Sequence, residues 1–295
     1  MMFTNTGKVQ CIRGFQIPEA SRTAKGTNVV NLLQLVEGEK ITSMIAVTDF
    51  AEGEYLVMVT RNGVIKRTLL SEFEYQRKGG KIAMNLDEGD ELLYVLHTKG
   101  KSEIIIATAA GNAVRFDENN VRCMGRTARG VKGISLREGD DGRDRVVGAV
   151  VVDDAKHLVT VTERGYGKRS PFDDFRTMAN RGGFGVRCQN VTEKTGLVAG
   201  IASVDEDNDL MMITDQGTII RTPAYDLSIL SRTAGGVIVM RLPEGQYVAN
   251  FTVVAKEEEE DTDANTDETE TVEIEVETSE AETPDEPADE TPDEE

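Results

Sequence analysis

Four arginines recur at one place, four residues after a glycine: Arg67 after Gly63, Arg115 after Gly111, Arg169 after Gly165 and Arg221 after Gly217. Lys66 and Lys168 stand directly before two of them. A second cationic cluster gathers at another glycine, 17 to 20 residues past each turn glycine. Its members are Arg22 and Lys25 at Gly26; Gln76, Arg77, Lys78 and Lys81 around Gly79 and Gly80; Arg126, Arg129 and Lys132 around Gly130; Arg181 and Arg187 around Gly185; and Arg232 at Gly236. Guanidinium and ammonium groups neutralise phosphate, and N–H groups beside glycine donate to its oxygens with no side chain in the way. A single Gly-rich loop is equally well a solvated bulge, but five in register favour a surface that reads a nucleic-acid backbone. The post-turn arginines have a second reading, salt bridging between repeats, which would be just as periodic.

Catalytic chemistry finds little footing. GxxxxGK[ST], GxSxG, HExxH and a complete GxGxxG are all missing. Gly165-Tyr166-Gly167 and Gly183-Phe184-Gly185 are partial matches that read better as turns. Asp153-Asp154 and Asp173-Asp174 fall at predicted loops, and His97 and His157 have no cluster of partners. Cys11, Cys123 and Cys188 lie far apart without CxxC spacing, which suits a reducing compartment with buried or incidental thiols. The chain is therefore read as non-catalytic by itself, with no metal or cofactor of its own. No apolar run approaches the roughly 18 residues of a membrane span, and nothing resembles a signal peptide.

The elements that must carry these cations are strands. Residues 56–86 show the pattern most clearly: a β-rich run to Thr60, Asn62-Gly63, a second run with Lys66 and Arg67, a loop, the knot 76–81, and a third run from Ile82. Asn-Gly between two such runs predicts a tight hairpin with both turn residues at positive φ. Turn glycines at 7, 63, 111, 165 and 217 and knot glycines at 26, 80, 130, 185 and 236 make the unit a fivefold repeat, with Cys11 replacing the post-turn arginine in the first copy. Predicted strands are 41–47, 56–60, 92–96, 104–108, 146–152, 158–162, 197–203, 210–214 and 247–254, with single helical turns at 69–73 and 172–175. About four strands per unit of roughly 50 residues predict an all-β propeller-like repeat, in which radial repetition protects the sheet edges. The absence of tryptophan excludes the WD type. Phe3 to Gly7 reads as the end of a strand whose start and preceding partner strands are missing; either the ring is closed by strands borrowed from elsewhere or, the favoured reading, the chain is a fragment of a longer protein.

Charge divides the chain in two. Residues 1–255 hold 32 basic and 32 acidic residues, whereas 256–295 hold one lysine and 21 acids, which is the whole net charge of −20. With 39% apolar residues overall, the first part can bury a sizeable core. The second part, Glu, Asp, Thr, Pro and Ala almost throughout, has too little apolar surface to offset the entropy of ordering and is expected to be disordered. Tethered beside a basic rim, it is also expected to compete for that rim.

The repeat, the QRKGGK knot at 76–81, GYGKR at 165–169, LMMITDQGTIIRT at 210–222 and the acidic tail together resemble the C-terminal domain of the DNA gyrase A family over residues 3–255. The resemblance implies a six-bladed β-pinwheel, a propeller with strands exchanged between blades, that wraps double-stranded DNA around its basic edge. It implies a heterotetramer formed by the rest of gyrase A with gyrase B, using ATP and Mg2+ to introduce negative supercoils in the bacterial cytoplasm at the chromosome. The family's box, Gln-Arg-Arg-Gly-Gly-Lys-Gly, belongs to its first blade, whereas residues 76–82 lie in the second unit and end in isoleucine. The five units therefore resemble blades two to six. None of Tyr55, Tyr75, Tyr94, Tyr166, Tyr225 and Tyr247 follows an arginine as the family's cleavage tyrosine does. Two rivals stand beside this reading. The C-terminal domain of topoisomerase IV shares the blades but lacks a well-formed box. A protein-interaction propeller would carry apolar or aromatic rather than cationic rim residues.

Overall fold

The computed structural model describes residues 1–256 except 22, 23, 76, 78 and 138–143; the acidic tail lies outside the described residues. The strands form five antiparallel sheets, one per repeat. The first has the order β3 (Ile41–Met44), β1 (Met2–Thr4), β2 (Lys8–Gln10), β6 (Lys81–Ile82). The second is β10 (Val131–Lys132), β5 (Val64–Leu69), β4 (Tyr55–Thr60), β7 (Leu92–Thr98), and the third β11 (Val146–Val151), β8 (Glu103–Thr108), β9 (Asn112–Asp117), β14 (Val186–Arg187). The fourth is β15 (Val198–Val204), β12 (His157–Thr162), β13 (Tyr166–Pro171), β18 (Val237–Ile238). The fifth has three strands among the described residues: β17 (Ile219–Pro223), β16 (Asn208–Thr214), β19 (Val248–Ala255). All nine predicted strands are present within a few residues of their expected bounds, and single 3-10 turns occur at Leu70–Phe73 and Phe172–Asp174. The strand at Phe3 is paired on both sides by strands that follow it in sequence, β2 and β3.

The hairpin turn differs from the predicted two-residue type. The Gly63 amide donates to Thr60 O at 3.1 Å, so glycine is the fourth residue of the turn, and the Val64 amide donates to the Thr60 hydroxyl at 3.1 Å. This is the three-residue hairpin closed by a left-handed glycine. Threonine three residues before the glycine recurs in all five copies, as Thr4, Thr60, Thr108, Thr162 and Thr214.

From the second onward, each knot donates a strand to the blade before it. Residues 81–82 pair with β2, 131–132 with β5, 186–187 with β9 and 237–238 with β13. Just beyond, two successive amides converge on the carbonyl of the preceding turn glycine: Ala83 and Met84 on Gly7, Cys188 and Gln189 on Gly111, Val239 and Met240 on Gly165. Both landmarks of the repeat are thus backbone crossings. A Cβ on Gly165 would lie 2.2 Å from Met240 O, and one on Gly185 2.1 Å from Ala113 O, at φ of 75° and 77°. Gly217, whose hairpin receives no strand among the described residues, would meet nothing within 4 Å.

The core lies between successive sheets. Leu56 and Met58 of β4 pack with Phe3, Val9, Leu70 and Phe73, while Val57 and Val59 face Ile104, Ile106, Val114 and Phe116. A strand buried on both faces needs a continuous apolar run, and β4 and β8 have one. Each fully buried side chain of this kind contributes about 1.5–3 kcal/mol.

Candidate nucleic-acid interface

Between two neighbouring strands, the second hairpin strand of each four-stranded blade is interior. Its side chains three and four residues past the glycine therefore point into the space between blades. Lys66 and Lys168 are wholly buried. The Lys66 ammonium donates to the carbonyls of Ala83, Gly125 (3.1 Å) and Arg126; the Lys168 ammonium donates to Ser231, Arg232 and Ala234 at 2.8, 2.7 and 2.9 Å. Burial pushes both pKa values down to about 8.

The buried guanidinium groups are equally committed. Arg67 donates to Asn119 Oδ1 at 2.8 Å, pairs with Glu118 and lies over the Tyr55 ring. Arg115 bonds Glu103 Oε2 and Phe172 O at 2.7 and 2.8 Å and pairs with Asp154, and Arg169 donates to the carbonyls of Leu227 and Tyr225. Arg221, half-buried, bonds Asp209 and Ala255 O. Five cations placed by sequence on the phosphate-facing row are buried and meet partners within the fold, as a buried charge must, and the sixth, Arg221, is half-buried with partners of its own. Arg115→Met is expected to lower stability by about 3 kcal/mol by stranding Glu103 and the Phe172 carbonyl. Urea unfolding checks this, and an unchanged midpoint would make the contacts incidental.

The knot cations have the opposite character. Lys25, Arg77, Arg129, Lys132 and Arg187 are exposed, and Lys81, Arg126, Arg181 and Arg232 half-exposed. Arg22, Gln76 and Lys78 lie outside the described residues, and Gly79 and Gly80 form the turn between Arg77 and β6. Successive knots touch. Arg181 donates to Lys132 O at 2.7 Å and Arg232 to Arg187 O at 2.9 Å. Lys81 lies close enough to Arg126 and Arg77 for burial, with their charges, to lower its pKa. The junctions from the second knot to the fifth therefore bring together cations of two consecutive units, an adjacency that spacing alone does not reveal. Arg129 pairs with Asp87 at 2.8 Å, whereas Lys25, Arg77, Lys132 and Arg187, one for each of the first four units, have no acidic partner among the described residues. The knots also expose Tyr75 and Phe184, 75% and 54% accessible, which sequence reasoning passed over. The signal for Phe184 is an aromatic between two glycines, Gly183 and Gly185, where it has little to pack on.

Groups read as non-catalytic have structural partners: Asp154 pairs with Arg115, Asp174 accepts from the Arg232 amide, and His97 bonds Glu54 at 2.7 Å. The cysteines are free thiols, Cys188 buried and Cys123 exposed.

Comparison with known proteins matches this architecture. The family described as DNA gyrase C-terminal domain, beta-propeller, matches residues 1–48, 54–99, 102–153, 156–205 and 208–255, one segment per unit. The DNA gyrase A protein of Staphylococcus epidermidis is 44% identical over 261 residues, and that of Staphylococcus aureus 43% over 260, covering 88% and 87% of this chain. The chain spans 29% of the length of each. Among solved structures, the C-terminal domain of DNA topoisomerase IV superposes with a TM-score of 0.77 at 26% identity, covering 86% of this chain and 78% of that one. The C-terminal domain of DNA gyrase A gives 0.72 at 26%, covering 85% and 80%. Five units in register, strands handed from knot to preceding blade and relatives that are gyrase A proteins lead to one conclusion: the chain belongs to the DNA gyrase C-terminal domain family.

Proposed function

We propose that this chain binds duplex DNA along the joined knots and bends it around them, as the C-terminal part of a gyrase A protein. In this reading the remainder of gyrase A, with gyrase B, supplies strand passage and the ATP and Mg2+ chemistry in the cytoplasm. The observation that carries the reading is the continuity of the knots, which sets exposed cations of consecutive units side by side. Bending a 20–30 base-pair site by 40–90° costs on the order of 1–6 kcal/mol, so the contacts must be shared among several units. No single knot suffices.

Such a surface reads phosphates and not bases. Anisotropy with unrelated duplexes of about 40 base pairs across a salt series tests it. With six or more phosphate contacts, affinity should fall by roughly a thousandfold or more between 50 and 200 mM salt, equally for every sequence. Strong sequence preference or a flat salt dependence would refute it. Binding that persists at high salt to a protein instead would move the reading to an interaction propeller.

A further inference from the structure

The two buried lysines do more than fill space between blades. Lys66 and Lys168 occupy equivalent hairpin positions, and each takes up the arriving loop of the next unit: Gly125 and Arg126 in one case, Ser231, Arg232 and Ala234 in the other. The two loops share Arg-Thr-Ala, as Arg126-Thr127-Ala128 and Arg232-Thr233-Ala234. Where the same hairpin position is Gln10 or Val114, the arriving knots are of another kind, Gln76–Gly80 and Asn180–Gly185, without Arg-Thr-Ala. Lysine and Arg-Thr-Ala therefore go together in two copies; the first knot also carries Arg22-Thr23-Ala24, of which residues 22 and 23 lie outside the described ones.

The geometry has a consequence for the outer side of the loop. In a trans peptide the C=O of one residue and the N–H of the next point in opposite directions. An ammonium that draws the Gly125 and Arg126 carbonyls inward turns the amides of Arg126 and Thr127 outward, and Lys168 does the same for Arg232 and Thr233. Thr127 and Thr233 are exposed, and neither amide has a protein acceptor among the described residues. The Arg232 amide already holds an anion, the Asp174 carboxylate at 3.3 Å. Successive outward amides form an anion-binding concavity.

We propose that Lys66 and Lys168 are positioning residues that preset the third and fifth knots, so that Thr127 and Thr233, with their amides and the preceding arginines, each form a ready corner for a phosphodiester oxygen. This rests on the DNA-binding reading and adds to it a division of labour. The second and fourth knots act through free cations, whereas the third and fifth also act through backbone held from behind by the neighbouring blade.

The full chain tests this in two arms. In Lys66→Met/Lys168→Met, amide exchange should accelerate at least about tenfold at 125–130 and 231–236 and stay unchanged at 182–187, whose hairpin position is Val114 and not lysine. Duplex affinity should fall about tenfold with the salt slope kept, because no phosphate-facing charge is lost. In Thr127→Ala/Thr233→Ala, affinity should fall severalfold with the melting temperature unchanged. Unaltered exchange in the lysine variant, or unaltered affinity in either folded variant, overturns the proposal. If the lysine variant does not fold, the threonine pair decides alone. An unaltered chain that binds no duplex sinks the DNA reading and the phosphate corner together, while exchange still decides whether the lysines hold the loops.

Discussion

Replacing Lys25, Arg77, Lys132 and Arg187 together by glutamine is expected to lower duplex affinity by roughly a thousandfold at 0.1 M salt and to reduce the slope of log affinity against log salt by about 3.6. That slope follows from one phosphate per cation, each contact releasing about 0.9 of a counterion. These four side chains are exposed, belong to four different units and have no acidic partner among the described residues, so their removal strands no buried group and should leave stability within about 0.5 kcal/mol. The effect should be equal on unrelated duplexes. An unchanged slope in a folded variant would move the phosphate contacts off the knots.

The informative contrast is with the framework cations. Neutralising Arg67, Arg115 and Arg169 should lower the unfolding midpoint while leaving the salt slope of the molecules that remain folded intact. The two sets are indistinguishable by residue type and by period. They differ in what surrounds them: Arg187 faces solvent, whereas Arg169 is closed over by the carbonyls of Leu227 and Tyr225.

That difference marks the limit of what was legible in the sequence. The repeat was legible because most landmark glycines sit where two backbones cross, and a Cβ at Gly165 or Gly185 would collide with a carbonyl, although Gly26 and Gly217 have open space around them. Strand positions were legible because β4 and β8 are buried on both faces and so are apolar throughout. Strand donation was not, since the two-residue strands at Lys81–Ile82 and Val131–Lys132 carry no periodicity and their partners are about 70 residues upstream. The destination of the post-turn cations was not either. Salt bridging between repeats and phosphate contact predict the same spacing, and only the interior position of β5, β9 and β13 separates them. The Asn62-Gly63 signal gave the right hairpin with the wrong turn, because Thr60, not Asn62, caps it.

Removal of residues 257–295 is expected to raise duplex affinity about tenfold at low salt, with the gain vanishing as salt rises. The segment carries all the acids past Lys256 and no base, while residues 1–256 hold 33 basic and 32 acidic residues, a net charge of +1. A tether of this length can hold an anionic segment near the rim at an effective concentration of about a millimolar, and a self-association constant of about 0.1 mM would then reduce apparent affinity about tenfold. The cut belongs after Lys256 and not earlier, because Val254 and Ala255 pair with Asp209 and Asn208 and the Ala255 carbonyl accepts from Arg221. Competition by charge must weaken as the Debye length shrinks from about 10 Å at 0.1 M toward 3 Å at 1 M. Titration of the full and shortened chains over the same salt series separates the cases. Converging curves identify the tail as a tethered competitor for the rim, whereas superimposed curves at every salt would leave it a solubilising segment with no part in DNA binding.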